Sequence, residues 1–401
     1  MVVERVSHLR RILKLNIMIV LFLVCFMAAG CSSSTIQEEI ENPTVHSPEV
    51  VKIGVFEPIS GLYKYAGNLE LEGIKLANQL YPEVDGIKLE LVIMDNQSDK
   101  LTSARVVSDL IQIEGVSVLI GSWSSTLSLS AGPILSDLKV PAVAPTSTNQ
   151  DLTVGNDYYF RACFSDSFQG NELANYVYYD LGFRKVALVT EQGNDYSNGL
   201  GRFFVERFVE LNDSDSDSVI YKLEYNSNRS IDVNEVDKII SLNPEAIFIP
   251  GGYDQSAQWI QTAKGRGYNG AFIGGDTWDN DVFITYGGKA VEGVIFSSFY
   301  SSEIALTQES TVFAENYRNK YGKDPSSIAA LGYDAYLMIK DAIQRSQSSN
   351  PEEIRNALEE TSNLAGAAGL ITMNEFGEPE RNLIIKTIEN GAIRSLKTID
   401  N

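Results

Sequence analysis

The sequence predicts an α/β protein with two similar lobes, each built on a central sheet that is rich in parallel strands. Short β-rich runs alternate with stretches of helical apolar spacing, which is typical of parallel sheets with right-handed crossovers. The alternation then restarts near the middle of the chain, at "QGNELANYVYYDLG", with enough elements for a second lobe. The length of 401 residues suits two domains of ordinary size.

The elements of the first lobe follow one another with short connections. The stretch "VKIGVFEP" at 51–58 is rich in β-branched residues and predicts a strand, and "GNLELEGIKLANQLY" at 67–81 has helical apolar spacing. The same alternation continues through the strand-like "IKLELVIMDN", the helical "TSARVVSDLIQIEG", the strand-like "VSVLIG", the helical "LSLSAGPILSDL" and the strand-like "VPAVAPT".

The second lobe repeats this order, and three helices follow it. Its predicted strands are "KVALVTEQG", "SVIYKLEY", "EAIFIPGG" and "AFIGGD", and amphipathic helical stretches separate them. The later segments "STVFAENYRNKYG", "IAALGYDAYLMIKDAIQRS" and "PEEIRNALEETS" have the 3.6-residue period of helices. After these helices come a turn-rich stretch, "NEFGEP", and a strand-like run.

The N-terminal sequence has the features of a lipoprotein signal peptide. A basic segment precedes the apolar run "IMIVLFLVCFMAAG", which has about the length of a signal peptide and is short for a membrane span. It ends in "AAGC", which matches the bacterial lipobox and makes Cys31 the expected lipidated residue. We therefore assign 1–30 to the signal peptide and 31–50 to the lipidated cysteine and a polar, flexible tether. The alternative is a membrane anchor with an incidental cysteine.

Composition excludes several classes of function. The net charge of −21 and the lack of a visible basic patch argue against nucleic acid as a partner. The two histidines, His8 and His46, lie in the leader and tether, which excludes histidine-dependent catalysis and histidine-containing metal sites in the folded part. Cys163 would be the one cysteine left in the fold, where we expect a small buried residue. We expect no enzyme, no cofactor and no metal.

The candidate site lies beyond the carboxyl ends of the predicted strands, where open parallel sheets bind ligands. In the first lobe these positions carry hydroxyl groups beside expected helix N-termini, which favour anions. In the second lobe they carry Asp276, which could pair with an ammonium group, and several aromatic residues that could surround the ligand. The candidate ligand-binding residues are Tyr65, Trp123, Ser124, Ser125, Thr146, Ser147, Thr148, Tyr196, Tyr253 and Asp276.

Each of these residues also has an ordinary structural interpretation. Ser125 and Thr148 could only cap helices, Asp276 could be an exposed turn carboxylate, and the aromatic residues could belong to the core. The functional interpretation rests on their convergence at corresponding strand ends. Together they suit a small zwitterion.

The chain resembles the type I periplasmic binding proteins for branched-chain amino acids, which are substrate-binding subunits of ABC importers. The matching stretches keep their order over roughly 50–401. They are "VKIGVFEPISG", "LIGSWSST", "VPAVAPTSTNQDLT", "YYFRACFSDSFQG", "DYSNGLG", "IFIPGGYDQSAQWIQTAKGRG", "FIGGDTW" and "GYDAYLMIKDAI".

The resemblance implies two Rossmann-like lobes joined by three hinge crossovers. Lobe 1 would comprise 51–168 and 299–368, and lobe 2 would comprise 169–298 and 369–401. The second and third crossovers would be "FSSFY" at 296–300 and "AGAAGLI" at 365–371. Closure of the lobes on a ligand would follow from bending at these hinges.

The resemblance also assigns roles to the site residues. Ser125, Thr148 and the backbone at Thr146 would hold an α-carboxylate, and Asp276 would hold the α-amino group in place of the family's usual glutamate. Tyr196 and Tyr253 would face the ligand. Trp123 stands where the branched-chain binders have smaller residues, so it could fill the side-chain pocket and favour a different or smaller ligand.

The expected function is therefore an extracytoplasmic, membrane-anchored lipoprotein that binds an amino acid and delivers it to ABC permease subunits. We expect it to be a monomer. Two alternatives keep the same fold: a binder of an amide, urea or an aromatic acid, and an extracellular sensor that presents its ligand to a membrane receptor. A carboxylate at Asp276 favours an ammonium or amide N–H in the ligand.

Overall fold

The computed structural model describes residues 50–400. The predicted signal peptide, the lipidation site Cys31 and the tether as far as residue 49 lie outside the described residues. Within the described part, the strands are β1 (Val50–Glu57), β2 (Glu83–Val84), β3 (Ile87–Asp95), β4 (Val118–Ile120), β5 (Ala142–Ala144), β6 (Tyr159–Arg161), β7 (Val186–Glu191), β8 (Val219–Tyr225), β9 (Ala246–Phe248), β10 (Ala271–Gly274), β11 (Ile295–Ser298), β12 (Leu364–Gly366), β13 (Gly369–Met373), β14 (Pro379–Glu380), β15 (Leu383–Glu389) and β16 (Ala392–Ile399).

The α-helices connect these strands in the alternation that the sequence predicts. None of the helices described is both long and apolar enough to cross a membrane. They are α1 (Lys64–Leu80), α2 (Lys100–Gln112), α3 (Ser125–Leu138), α4 (Asp166–Asn175), α5 (Asp195–Leu211), α6 (Val233–Ser241), α7 (Tyr253–Gly265), α8 (Asp281–Gly287), α9 (Gln308–Tyr321), α10 (Ser327–Ser346) and α11 (Pro351–Glu359).

The first sheet has six strands in the order β2-β3-β1-β4-β5-β6. All neighbours pair in parallel except β2, which runs antiparallel to β3. Along β1, Ile53 and Val55 point to the face covered by α1 and α10, and Phe56 points to the face covered by α2 and α3. Because both faces are covered, β1 is an almost continuous run of buried apolar residues.

Helix α10 lies at the centre of the first lobe and is buried along most of its length. It packs closely on α1 because glycine occupies the contact on each helix. A Cβ on Gly73 would come within 1.9 Å of the carbonyl oxygen of Ala329, and one on Gly332 within 2.3 Å of the carbonyl oxygen of Glu70. This close packing fixes the position of α1, which carries Glu70 toward the candidate site.

The second sheet has seven strands in the order β16-β15-β11-β10-β9-β7-β8. The five strands β7 to β11 pair in parallel, whereas β15 runs antiparallel to β11 and β16 antiparallel to β15. Helices α4 and α5 pack on one face, and α6 and α7 pack on the other. The predicted fold class, two α/β lobes with parallel-rich sheets, is confirmed.

The chain leaves the second sheet after β11 and re-enters it at β15, where the resemblance implied the second and third crossovers. The first of these passages follows Ser298, within the expected 296–300. The return comes later than the expected 365–371. Strands β12 to β14 form a small antiparallel sheet of their own, and the chain joins the second large sheet only at Leu383.

Two buried ion pairs explain the later return. The carboxylate of Glu378, next to β14, lies 3.3 Å from the guanidinium of Arg161 in β6. The guanidinium of Arg381 lies 2.8 Å from the carboxylate of Asp334 in α10, and both side chains are almost completely buried. These pairs hold residues 378–381 against the first lobe, and the lobe boundary at 368/369 implied by the resemblance stays a prediction.

Candidate functional site

The carboxyl ends of strands from both sheets surround one cavity of about 170 Å³. In the first lobe, the lining residues follow β1, β4 and β5. In the second lobe, they follow β7, β8, β9 and β10. The lining comprises Leu62, Tyr63, Trp123, Ser124, Ser125, Thr146, Glu191, Asn194, Tyr196, Ser227, Asn228, Gly252, Tyr253, Asp254, Gln255, Asp276 and Thr277.

The first-lobe wall is the N-terminus of α3. Ser124 is the N-cap residue and has a positive φ of 79°, and its side chain does not cap the helix. The hydroxyl of Ser125 accepts a weak hydrogen bond of 3.3 Å from the backbone N–H of Asn149. The first turn of α3 therefore faces the cavity without a side-chain cap, and the partial positive charge of a helix N-terminus favours an anionic group there.

Two glutamates lie buried behind this wall. Glu57, at the end of β1, accepts a hydrogen bond of 2.8 Å from the backbone N–H of Trp123. Glu70, in α1, accepts a hydrogen bond from the hydroxyl of Thr146. Both side chains are fully buried. Burial raises the pKa of both carboxyl groups, and the nearby Glu70 charge raises the pKa of Glu57 further.

This pair sets the orientation of two cavity residues. Glu57 holds the backbone of Trp123 by the hydrogen bond to its N–H. The indole ring of Trp123 lies between the cavity and a small apolar cluster of the first lobe. Because the Thr146 hydroxyl donates its hydrogen bond to Glu70, the hydroxyl oxygen of Thr146 is left only as an acceptor for other groups. Any group that binds at Thr146 from the cavity side is therefore a hydrogen-bond donor to its hydroxyl or interacts with its backbone.

Asp276 carries the buried charge of the second-lobe wall. It follows β10, is 5% exposed, and accepts a hydrogen bond of 2.9 Å at Oδ1 from the hydroxyl of Tyr196. Its backbone N–H donates to the side-chain oxygen of Gln169 at 3.1 Å. Burial raises the pKa of Asp276 to about 6, against the opposing effect of the Tyr196 hydrogen bond. The carboxylate is thus ionised at neutral pH, in a place where a cationic partner would offset its desolvation.

Two further carboxylates line the same wall. Glu191 ends β7 and accepts a hydrogen bond of 2.8 Å from the side-chain amide of Asn194. Asp254 lies in the first turn of α7, just after β9. The lining residues include these two carboxylates and Asp276 but no Lys or Arg. The cavity is therefore strongly acidic.

Hydrogen bonds join the two lobes beside the cavity. The side-chain amide of Asn149 donates to the carbonyl of Asp195 at 2.7 Å, and the backbone N–H of Asp195 donates to the hydroxyl of Thr126 at 3.3 Å. Gly199 in α5 faces this contact, since a Cβ there would come within 2.8 Å of both the Asn149 amide and the Asp166 carboxylate. A side chain at this position would displace the ends of the Asn149 and Asp166 side chains, and Asn149 is one of the residues that join the lobes.

The structure brings seven of the ten predicted site residues to the cavity and leaves three behind it. Tyr65, Ser147 and Thr148 do not line it. Tyr65 packs on the cluster around Trp123, and its ring meets that of Tyr253 edge-on at 6.3 Å. Those in the lining are Trp123, Ser124, Ser125, Thr146, Tyr196, Tyr253 and Asp276.

The hydroxyls of Ser147 and Thr148 have different surroundings. The Ser147 hydroxyl lies 2.7 Å from that of Ser128, inside the first lobe. Thr148 is fully buried, and its hydroxyl has no hydrogen-bond partner within the described chain. Because Thr148 does not line the cavity, its hydroxyl is not placed to contact a ligand carboxylate in this structure. The role of each of these residues in ligand binding stays a prediction.

Sequence reasoning missed two groups of residues at the site. Glu191 and Glu57 are the last residues of β7 and β1, and Asp254 follows β9, so the strand-end argument that found Asp276 could have found all three. Glu70 carried no such signal, because it lies within an amphipathic helix. Its adjacency to Glu57 exists only in the folded chain.

The remaining chemistry of the described chain is limited. Residues 50–400 contain no group of three or more His, Cys, Asp or Glu side chains placed to hold a metal ion. Cys163 is a free thiol and fully buried, as expected, and burial raises its pKa.

Comparisons with known proteins agree on one family. The family described as "Periplasmic binding protein" matches residues 50–392. Among curated relatives, Leu/Ile/Val-binding protein homolog 3 from Brucella melitensis is 24% identical over 332 residues, covering 82% of this chain and 88% of that protein. Leu/Ile/Val-binding protein BraC3 from Rhizobium johnstonii is 24% identical, covering 84% of this chain and 90% of that protein.

Solved structures give the same result. A leucine binding protein LivK from Thermotoga maritima is 35% identical with a TM-score of 0.83, covering 87% of this chain and 99% of that one. The branched-chain amino acid binding protein LivJ from Streptococcus pneumoniae, in complex with isoleucine, is 26% identical with a TM-score of 0.81, covering 88% and 100%. A Rhodopseudomonas palustris (R. palustris) solute-binding protein in complex with benzoate shares the fold at 19% identity and a TM-score of 0.76, covering 87% and 96%.

Proposed function

The chain belongs to the periplasmic binding protein family, and from that premise we propose that it binds an α-amino acid for an ABC importer. The relatives that cover most of its length are named for binding leucine, isoleucine and valine. The role is binding and delivery, and it involves no catalytic step.

The observation that carries this proposal is the pairing of opposite charges across the cavity. The uncapped N-terminus of α3, with the hydroxyls of Ser124 and Ser125, favours a carboxylate on the first lobe. Asp276, buried and ionised, favours an ammonium group on the second lobe. An amino-acid zwitterion carries both groups a short distance apart, so one molecule would satisfy both lobes.

The interlobe contacts support a role for closure in binding. The hydrogen bonds between Asn149, Thr126 and Asp195 lie beside the cavity, so they form only when the two lobes approach each other. A ligand that contacts both walls would favour the same approach. Binding would therefore shift the chain toward the closed arrangement that a permease recognises.

We propose further that the protein acts outside the cytoplasm as a lipoprotein anchored through Cys31. The support is the "AAGC" sequence after an apolar leader, followed by a polar tether. Its partners would be ABC permease subunits, and it would work as a monomer. Mass spectrometry of the protein from its native membrane tests the anchor: a lipid-modified N-terminal Cys31 is expected, and an unmodified one contradicts it.

The test of the binding function is a thermal-shift screen of the purified protein against the twenty amino acids. A ligand at a hundred times its Kd is expected to add about 2.7 kcal/mol to the free energy of unfolding. The screen includes urea, simple amides and benzoate as alternative ligands. Stabilisation by these alone would overturn the amino-acid proposal while leaving the family membership intact.

An aromatic acid is the second candidate ligand, because aromatic rings line much of the cavity. The side chains of Tyr63, Trp123, Tyr196 and Tyr253 surround it, and a benzoate-binding protein shares the fold. An aromatic acid would leave Asp276 buried beside the ligand without a cation, which is costly. The zwitterion accounts for both walls and is therefore the leading candidate.

A further inference from the structure

The acidic lining of the cavity exceeds what an aliphatic amino acid needs. An amino acid with a neutral side chain has only its α-ammonium group as a positive charge, and Asp276 alone would bind it. Glu191 and Asp254 would then line the same small cavity with no basic residue among their neighbours in the lining. Both side chains are half-buried, and a carboxylate that loses its remaining water to a ligand needs a cation or several donors to offset the cost.

The order of the second sheet separates these carboxylates from Asp276. Strands β10, β9 and β7 are consecutive neighbours in the sheet, and Asp276, Asp254 and Glu191 follow them in that order. Neighbouring strands lie about 4.8 Å apart, so the end of β7 lies roughly 10 Å from the end of β10. A ligand whose α-amino group meets Asp276 would thus extend its side chain along the sheet edge toward Asp254 and Glu191.

A buried hydroxyl lies at the end of β8, the edge strand beside β7, outside the cavity lining. Tyr225 is 8% exposed, and its hydroxyl has no hydrogen-bond partner among the residues that the structure describes. Tyr225 ends β8 and is the register partner of Glu191 at the end of β7, so the two residues are neighbours at the sheet edge. A tyrosine hydroxyl without a partner can donate to a carboxylate and can also accept from an N–H group.

The aromatic residues at this end are compatible with the same ligand. Tyr63 and Tyr253 line the cavity next to Asp254. Cations bind favourably over aromatic rings, and more so when water is excluded. Ring faces and carboxylates together form a binding site for a positive group, whereas a branched aliphatic side chain would gain nothing from the carboxylates.

Each carboxylate has a simpler explanation that covers only part of these observations. Asp254 lies in the first turn of α7, where a negative charge stabilises a helix. Glu191 accepts from Asn194 and so helps to order the start of α5. Neither explanation accounts for the absence of basic residues from the lining or for the unpaired hydroxyl of Tyr225.

We infer that the site takes a cationic α-amino acid, with Glu191 and Asp254 receiving the positive group of its side chain. The inference rests on the proposed function and specifies its ligand class. It differs from the aliphatic ligands for which the relatives are named.

Isothermal titration of the purified protein tests the ligand class with matched probes. L-Lysine, L-ornithine and L-arginine are compared with L-leucine and with L-norleucine, which has the carbon chain of lysine without the terminal ammonium group. At least one cationic probe is expected to bind about tenfold or more tightly than norleucine, because it gains charge-assisted hydrogen bonds. Equal or tighter binding of leucine or norleucine overturns the inference but leaves the proposed function standing. Binding of no α-amino acid at all overturns both.

The isosteric variants Glu191→Gln and Asp254→Asn test the assignment of residues. Each is expected to weaken binding of the preferred cationic probe by about tenfold and not to weaken norleucine binding, which loses an uncompensated carboxylate from its surroundings. Asp217→Asn, at an exposed loop away from the cavity, is the control for loss of one negative charge and is expected to change neither. Unchanged affinity for the cationic probe in both cavity variants, with the parent preference intact, overturns the assignment to these carboxylates. The parent's preference is measured without any variant, so it remains informative if a variant misfolds.

Discussion

Replacing Asp276 by Asn is expected to abolish ligand binding and, at the same time, to stabilise the ligand-free protein. The change keeps the size of the side chain and the acceptor for the Tyr196 hydroxyl, which donates to Oδ1 at 2.9 Å. It removes the charge and replaces the second carboxylate oxygen by an NH₂ group. The two effects have opposite signs because the same buried charge costs free energy in the empty cavity and gains it with a cation.

The gain in stability follows from the pKa of Asp276. Burial raises this pKa from 3.8 to about 6. Each unit corresponds to about 1.36 kcal/mol, so keeping the group ionised above pH 7 costs the folded state about 3 kcal/mol. The unfolding entropy is about 2.1 cal/mol/K per residue, or roughly 0.7 kcal/mol/K for the roughly 350 described residues. Loss of the charge is therefore expected to raise Tm by up to about 4 °C at pH 7.5.

The loss in affinity follows from the broken pair. Removing one partner of a buried, hydrogen-bonded charge pair costs about 3–5 kcal/mol, which corresponds to a weakening of roughly 150- to 5,000-fold. Differential scanning calorimetry without ligand and isothermal titration with the best amino acid measure the two effects separately. Asp217→Asn serves as the surface control, and neither quantity is expected to change in it.

Two results would refute this reasoning. A Tm for Asp276→Asn below that of the parent would mean that the carboxylate is stabilised in the empty cavity by contacts stronger than those described. An affinity within tenfold of the parent would mean that the ligand's positive group binds elsewhere. Either result alone removes one half of the explanation and leaves the other half testable.

Three further predictions follow from the same structure. Burial raises the pKa of Glu70 to about 7 and of Asp166 to about 8, in addition to that of Asp276, so the folded chain binds more protons than the unfolded chain between about pH 4 and 8. The unfolding free energy is therefore expected to fall as pH rises through this range. A Tm at pH 8 that equals or exceeds the Tm at pH 5.5 would contradict this prediction. The affinity for amino acids is expected to fall as pH drops below about 6, because Asp276 becomes protonated. Isothermal titrations at pH 5 and pH 7.5 test this prediction, and an equal Kd at both would contradict an ion pair between Asp276 and the ligand. Gly199→Ala is expected to weaken the contact between the lobes, because the new Cβ would displace the ends of the Asn149 and Asp166 side chains. Isothermal titration with the best amino acid is expected to show weaker binding than in Gly265→Ala, the matched control, whose Cβ meets no atom within 4 Å; equal affinities of the two variants would exclude a steric effect.

The general fold could be predicted from the sequence because local patterns determine it. The residues of β1 are β-branched and apolar, and helices such as α10 show a clear 3.6-residue period. Parallel strands place their carboxyl ends at one edge of the sheet, so the residues after those ends could be named as site candidates. Asp276, Tyr196 and Trp123 were found in this way.

The parts that could not be predicted depend on contacts between distant residues. The return to the second sheet comes late because Arg381 pairs with Asp334, which is 47 residues away in the chain. Glu57 and Glu70 become neighbours only when α1 packs beside β1. Tyr65 was predicted as a ligand contact from its position after a strand end, and in the structure its ring packs in the cluster around Trp123. No local pattern distinguishes these outcomes.

The order of the strand ends in the second sheet has a consequence for how this protein could change during evolution. In the proposed site, α3 and Asp276 would hold the groups that all amino acids share, whereas the residues along the ligand's side chain would come one after another from the loops after β9, β7 and β8. A substitution in one of these loops would then alter selectivity at one distance from the α-carbon. Such a scaffold would change its ligand stepwise without rebuilding the part of the site that holds the shared groups.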